Sequence, residues 1–310
     1  MNTKSSNNEM GVPALEQVYG KSVARAASRK RHLAVTSEGR HAGWGSYLIL
    51  CIMILLFIFP LYYAVSIASQ STSSTQYGVE ALKLGNGLFY NLSRAFNTMN
   101  FWQALGGTLF VAVTVSCTTV LFSTLAGYSF AKLRFRGRGI LLAIVVATMA
   151  IPQQLNVIPL FIMANKVRLY GSLWAIIIPS MVTAFGVFWM TQYLQDALPY
   201  ELIEAARVDG ASMIRTFWSV AMPAARPAAA MLFLFTFIAQ WTNYFWPMIV
   251  LGPNKSSFLT VAAANLKGAY FTDYTIVMAG VVLTTMPLLI VFFIAGKQLV
   301  SGIMAGAVKG

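Results

Sequence analysis

Glu201, Glu204, Arg207 and Asp209 fall within nine positions of one another, in a 310-residue chain with only nine acidic side chains. Their types and crowding suit charge-assisted hydrogen bonds to the surface of another protein rather than bond-making chemistry. No nucleophile–base pair and no metal-ligand cluster can be placed in the sequence. Gly20-Lys21-Ser22 has the ending of a phosphate-binding loop, but Leu15 stands where its first glycine is required. Cys51 and Cys117 fall inside apolar runs without ligand-like spacing and read as small core residues. A second set of polar residues is uncharged. Gln153, Gln154 and Asn156 follow Pro152, and Gln240, Thr242 and Asn243 precede Pro247 beside Trp241, Tyr244 and Trp246. Amides next to stacking rings suit a hydroxyl-rich solute such as a sugar, and Asn, Gln and Thr also join neighbouring membrane helices.

The charged cluster needs an element to hold it. Pro199 suits the first turn of a helix, and the acids after it favour the positive N-terminal end. On a helical wheel Leu202, Ile203, Ala205 and Ala206 share one side, while Glu201, Glu204 and Arg207 share the other. Gly210 stops this helix, Ser212 caps a second, and Pro223 is expected to end that one. Met213, Ile214, Phe217 and Trp218 give the second helix a broad apolar face. Both helices are too short to span a bilayer and are expected to lie at the membrane surface as a charged knuckle. An amphipathic connector between two spans is the plainer reading of the same residues. A DNA-reading helix pair is excluded, because residues 196–226 hold four acids against three arginines.

Around this segment the chain is apolar. Hydrophobic residues make up 57% and charged residues 10%, which points to a polytopic membrane protein. Six runs, at 47–68, 104–131, 140–163, 173–194, 228–251 and 275–295, each come near the ~20 residues that cross a bilayer. The first is too long for a signal peptide and has five successors. Pro60, Pro152, Pro159, Pro179, Pro247 and Pro287 interrupt five of the six, which is tolerated where neighbouring groups satisfy the freed carbonyls. The expected layout is all-α: a basic, disordered tail over 1–45, a six-span body over 46–300, and a short tail over 301–310.

Lys, Arg, Asp, Glu and His all lie outside the runs. An ion-driven pump normally keeps such a group deep in the bilayer, where it costs about 2.5–3.5 kcal/mol, so the driving force is expected from elsewhere. Six spans put both termini on one side. That side carries seven basic residues in the first tail, four at 132–138, Arg207, Arg215, Arg226, Lys297 and Lys309. The other side carries Lys83, Arg94, Lys166, Arg168, Lys255 and Lys267. The excess places both termini and the knuckle in the cytoplasm.

Glu204-Ala205-Ala206, Gly210, Val220 and Pro223 stand in the order and spacing of the EAA loop of ABC importer permeases, with Met222 in place of the usual leucine before Pro223. From about residue 47 to the end, including WTNYFWP at 241–247 and SGIMAGAVKG at 301–310, the chain resembles maltose-type carbohydrate permeases. That resemblance implies a cytoplasmic coupling helix docking into a separate ATPase. Glu204, Ala205, Ala206, Arg207, Asp209, Gly210 and Pro223 would form the contact, with Glu204 foremost. It also implies a second, different permease subunit, two ATP-binding subunits that hold ATP and Mg, and an extracellular solute-binding protein, with no cofactor in this chain. Gln153, Asn156, Gln240, Asn243 and Tyr244 are the candidates for the sugar path. The alternatives are a self-contained secondary transporter or channel, for which neither an internal repeat nor a buried ion site is found, and a same-family importer of glycerol phosphate, which would call for basic residues facing the path.

Overall fold

The computed structural model describes residues 43–71, 81–268 and 272–307, so the tail expected over 1–45 lies almost wholly outside the described residues. The chain falls into two units divided at Pro60. In the first, residues 44–60 belong to helix α1 (Trp44–Ala68). Positions 47–60 are apolar without exception, the all-round hydrophobicity of a helix whose solvent is lipid.

All the regular structure among the described residues of the second unit is helical, with no strand. After the last turns of α1 come α2 (Leu88–Thr98), α3 (Phe101–Lys132), α4 (Arg138–Thr148) and α5 (Val157–Lys166). There follow α6 (Trp174–Ser180), α7 (Ala184–Ala197), α8 (Tyr200–Val208), α9 (Met213–Trp241), α10 (Phe245–Val250), α11 (Leu259–Ala264) and α12 (Tyr274–Ala307). By length and apolarity α1, α3, the stretch Trp174–Ala197, α9 and α12 can each cross a membrane. The remaining apolar run, 140–163, is a bent pair: α4 and the segment Gln153–Lys166 meet at 92°. The break expected at Pro152 is therefore a right-angled turn rather than a kink. The last helix continues through Ala307, so the tail expected from residue 301 begins inside it.

Helix α3 is the axis of the second unit. Ala104, Thr108, Val111, Ala112, Val115, Ser116, Thr119, Ser123, Thr124, Tyr128 and Ala131 are buried along it, a row of mostly small residues that lets other helices come close. At Gly127 a Cβ would lie 2.7 Å from Met190 Cβ, so only glycine admits α7 at that distance. Hydroxyls in the spans bond back to their own helix, as Ser116 Oγ does to the Ala112 carbonyl at 2.6 Å and Thr191 Oγ1 to that of Val187 at 2.7 Å.

The proline breaks are met by side chains from other elements. Pro179 has no N–H to give the Ala175 carbonyl, and Trp246 Nε1 of α10 donates to it instead at 3.1 Å. At the break before Pro247 the Asn243 carbonyl, which lies outside the helix, accepts from Thr260 Oγ1 at 2.7 Å. These indole and hydroxyl bonds fix α10 against α6 and α11 against the start of α10.

Two expectations fail here. The run at 228–251 is not one span: α9 ends at Trp241, and α10 starts after a turn at 242–244. Nor does Pro223 end the second knuckle helix, which is the first part of α9 and so belongs to a helix of spanning length. Met222 N–H reaches back five residues to the Phe217 carbonyl, widening Phe217–Ala221 into a π turn, and Pro223 then sits in the first turn of the regular helix, where its missing N–H is tolerated.

Helix α2 was not expected. Leu88, Leu92 and Phe96 face the cluster in which Ala95, Met99 and Phe101 are buried. The buried Asn91 amide donates to the Ala68 and Gln70 carbonyls at 2.9 and 2.8 Å, and Arg94 pairs with Asp273 at 3.1 Å. Between them these residues tie the ends of α1 and α12 together.

Candidate functional site

The charged knuckle is α8 and the first turn of α9. Pro199 caps α8 rather than entering it, with Tyr200 as the first helical residue. The stop at Gly210 is as expected and its bonds are all local. Gly210 has φ +75°, its N–H donates to the Arg207 carbonyl at 3.0 Å, and the Ala211 N–H donates to that of Ala206 at 2.9 Å. This pair of bonds closes the helix end around a left-handed glycine. Ser212 Oγ then accepts from the Arg215 N–H at 3.3 Å and starts α9, also as expected.

Of the side formed by Leu202, Ile203, Ala205 and Ala206, only Ile203 is buried, at 3% exposure, in the cluster of Tyr128, Leu194, Leu198, Phe217 and Ala221. That one anchor holds α8 against α3, α7 and α9. Glu204, Ala205, Arg207, Asp209 and Gly210 all face outward, and Val208 is 88% exposed. No ion pair joins Glu204 to Arg207 among the described residues. Met213, Ile214 and Trp218 are exposed beside them, so the knuckle presents a mixed apolar and charged surface. The charges were legible from the wheel, whereas the exposure of Leu202 and Val208 depends on where Ile203 is seated. Pro223 lies well inside α9, just after the π turn at Phe217–Ala221 and away from the bend itself.

The uncharged candidates converge at the helix breaks. A cavity of about 740 Å³ is lined by Gln153, Gln154 and Asn156 from the right-angled turn, and by Ser180 and Thr183 from the α6–α7 break. Thr236 and Gln240 of α9, with Asn243, Phe245 and Trp246, also line it. Of the five sugar-path candidates, Gln153, Asn156, Gln240 and Asn243 share one cavity, and Tyr244, in the turn at 242–244, is not among the residues that line it. Ser180, Thr183 and Thr236 were missed; the signal for the first two was Pro179, whose neighbourhood supplies polar groups just as that of Pro152 does. Gln240 Oε1 is buried and accepts no hydrogen bond among the described residues. The volume falls within the roughly 300–1,000 Å³ usual for small-molecule sites, and among the described residues the wall holds no charged one.

Comparison with known proteins agrees with this architecture. The model of the family described as binding-protein-dependent transport system inner membrane component matches residues 120–304. The chain belongs to that family and is a transport permease subunit and multi-pass membrane protein. It is 33% identical over 263 residues to the lactose transport system permease protein LacG of Rhizobium radiobacter, covering 85% of this chain and 95% of that one. It is 28% identical over 272 residues to the arabinooligosaccharides transport system permease protein AraQ of Bacillus subtilis (strain 168), covering 85% and 94%. An sn-glycerol-3-phosphate transport system permease protein UgpE of Yersinia pestis is 28% identical over 269 residues, covering 83% and 94%. Among solved structures, a bacterial ABC transporter involved in the import of the acidic polysaccharide alginate superposes with a TM-score of 0.71 at 26% identity, over 82% of this chain and 95% of that one.

Proposed function

We propose that the chain is one membrane subunit of an ATP-driven importer for a disaccharide or oligosaccharide. A second, different permease completes the path, an extracellular solute-binding protein delivers the sugar, and two ATP-binding subunits hold the ATP and Mg. The observation that carries the reading is the knuckle: an outward-facing charged helix, closed at Gly210 by its own backbone and anchored to three helices through Ile203. Such an element is stiff enough to pass on a push and exposed enough to receive one. Glu204 makes the foremost charge-assisted contact with the ATPase, Arg207 and Asp209 flank it, and Ala205 lets the partner approach the backbone. Both termini lie in the cytoplasm with it.

The cavity supports a neutral, hydroxyl-rich cargo. Gln153, Asn156, Gln240 and Asn243 offer amides, and Trp246 and Phe245 offer rings. The phosphate of glycerol phosphate would call for a Lys or Arg in the wall, and none lines it. Glu204→Lys and Gly210→Pro test the coupling. Proline cannot adopt the +75° φ of Gly210. Each variant is expected to insert normally, to lose ATP-driven uptake and to hold the ATPase less tightly in pull-down from membranes. Unchanged uptake in both variants overturns the assignment.

A further inference from the structure

Lys132 is the last residue of α3 and only 7% exposed, although it opens the basic stretch 132–138. Its Nζ donates to the Gln195 carbonyl at 2.9 Å and lies 4.6 Å from the centroid of the Tyr200 ring. Gln195 is in the last turn of α7, where carbonyls have no partner within the helix and carry its negative end. Tyr200 is the first residue of α8, and its hydroxyl donates back to the Ala131 carbonyl at 3.4 Å. One ammonium thus holds together the ends of two spans and the base of the knuckle, by a charge-assisted hydrogen bond on one side and a cation–π contact on the other. The only covalent route from α7 to α8 is the extended pair Leu198 and Pro199.

We propose that Lys132 is a positioning residue which ties the base of the knuckle to the ends of α3 and α7, so that a displacement of α8 moves both spans together. The inference rests on the coupling function proposed above and assigns a part of it to a residue that touches neither the ATPase nor the solute. Ile203 alone leaves α8 free to rock about one apolar point. With Lys132 and Tyr200 added, the helix is held at its first residue as well, and a rock becomes a lever stroke.

The test uses the whole importer with its binding protein in proteoliposomes, reading sugar uptake and ATP hydrolysis in the same vesicles. Lys132→Met keeps the aliphatic stem and removes the charge. Sugar moved per ATP hydrolysed is expected to fall by about tenfold, the equilibrium factor of one charge-assisted hydrogen bond, while the complex assembles in normal amount. Lys132→Arg, whose guanidinium can donate to the same carbonyl and stack on the same ring, is expected to restore most of the coupling. Tyr200→Leu is expected to lower it, with Tyr200→Phe close to wild type. A role in folding alone would reduce the amount of complex but leave sugar per ATP unchanged, and that result overturns the proposal. If the wild-type complex itself shows no ATP-driven uptake, the coupling reading falls with it, so the two failures are distinguishable.

Discussion

At Gly127 the absence of a side chain decides how two spans meet. A Cβ there would stand 2.7 Å from Met190 Cβ, 2.8 Å from the Met190 carbonyl carbon and 2.9 Å from the Thr191 amide nitrogen. Two of those neighbours are backbone, so no rotamer change on α7 relieves the clash. Gly127→Leu is therefore expected to push α7 off α3 and to destabilise the purified protein by about 1–3 kcal/mol or more. It should appear as a lower midpoint of thermal unfolding in detergent. An unchanged midpoint would show that α3 and α7 are held apart already. Residues of this kind are silent in the sequence, because a glycine in a membrane helix is common and only the partner's position gives it a meaning.

The elements differ in how far they could be read from the chain. The end of α8 and the start of α9 were legible because Gly210 and Ser212 act through bonds within five residues. The continuity across Pro223 was not, because a π turn stores the correction in the five residues before it. Pro152 announced a break but could not announce 92°, which depends on what the two halves pack against. The amides at 153–156 and 240–243 were legible as a set and meet in one cavity, while Tyr244 lies in the turn at 242–244 and does not line it. The compensation at Pro179 makes a sharper test of element packing. Trp246→Phe leaves the Ala175 carbonyl without its indole donor and is expected to cost about 1–3 kcal/mol. Pro179→Ala supplies a backbone N–H to the same carbonyl. In that background the cost of Trp246→Phe should shrink, measured as a non-additive shift in thermal midpoint. Strict additivity would mean that the indole bond does not compensate for the N–H missing at Pro179.

At the scale of the molecule, the long axis of α3 sets which groups share a membrane face. Its 32 residues rise about 1.5 Å each, enough to cross the ~30 Å hydrocarbon core with a turn to spare at both ends. One end of α3 packs with α2, whose Phe89 is 83% exposed, and the other meets the base of the knuckle at Tyr200, with Val208 at the far end of α8 88% exposed. In the order of the chain, Lys132, Arg134, Arg136, Arg138, Arg207, Arg215 and Arg226 fall on the knuckle side of the spans, against Lys83, Arg94, Lys166, Arg168, Lys255 and Lys267 on the side of α2. Basic residues near span ends are retained in the cytoplasm, so the knuckle should face inward and Phe89 outward. In a chain with Cys51→Ala and Cys117→Ser, Val208→Cys is expected to react with a membrane-impermeant maleimide in inside-out vesicles and to be protected in right-side-out ones. Phe89→Cys should show the reverse. Labelling of Val208→Cys from the outer face would place the charged knuckle beyond reach of any cytosolic ATPase, and the transport mechanism proposed above would have to be abandoned.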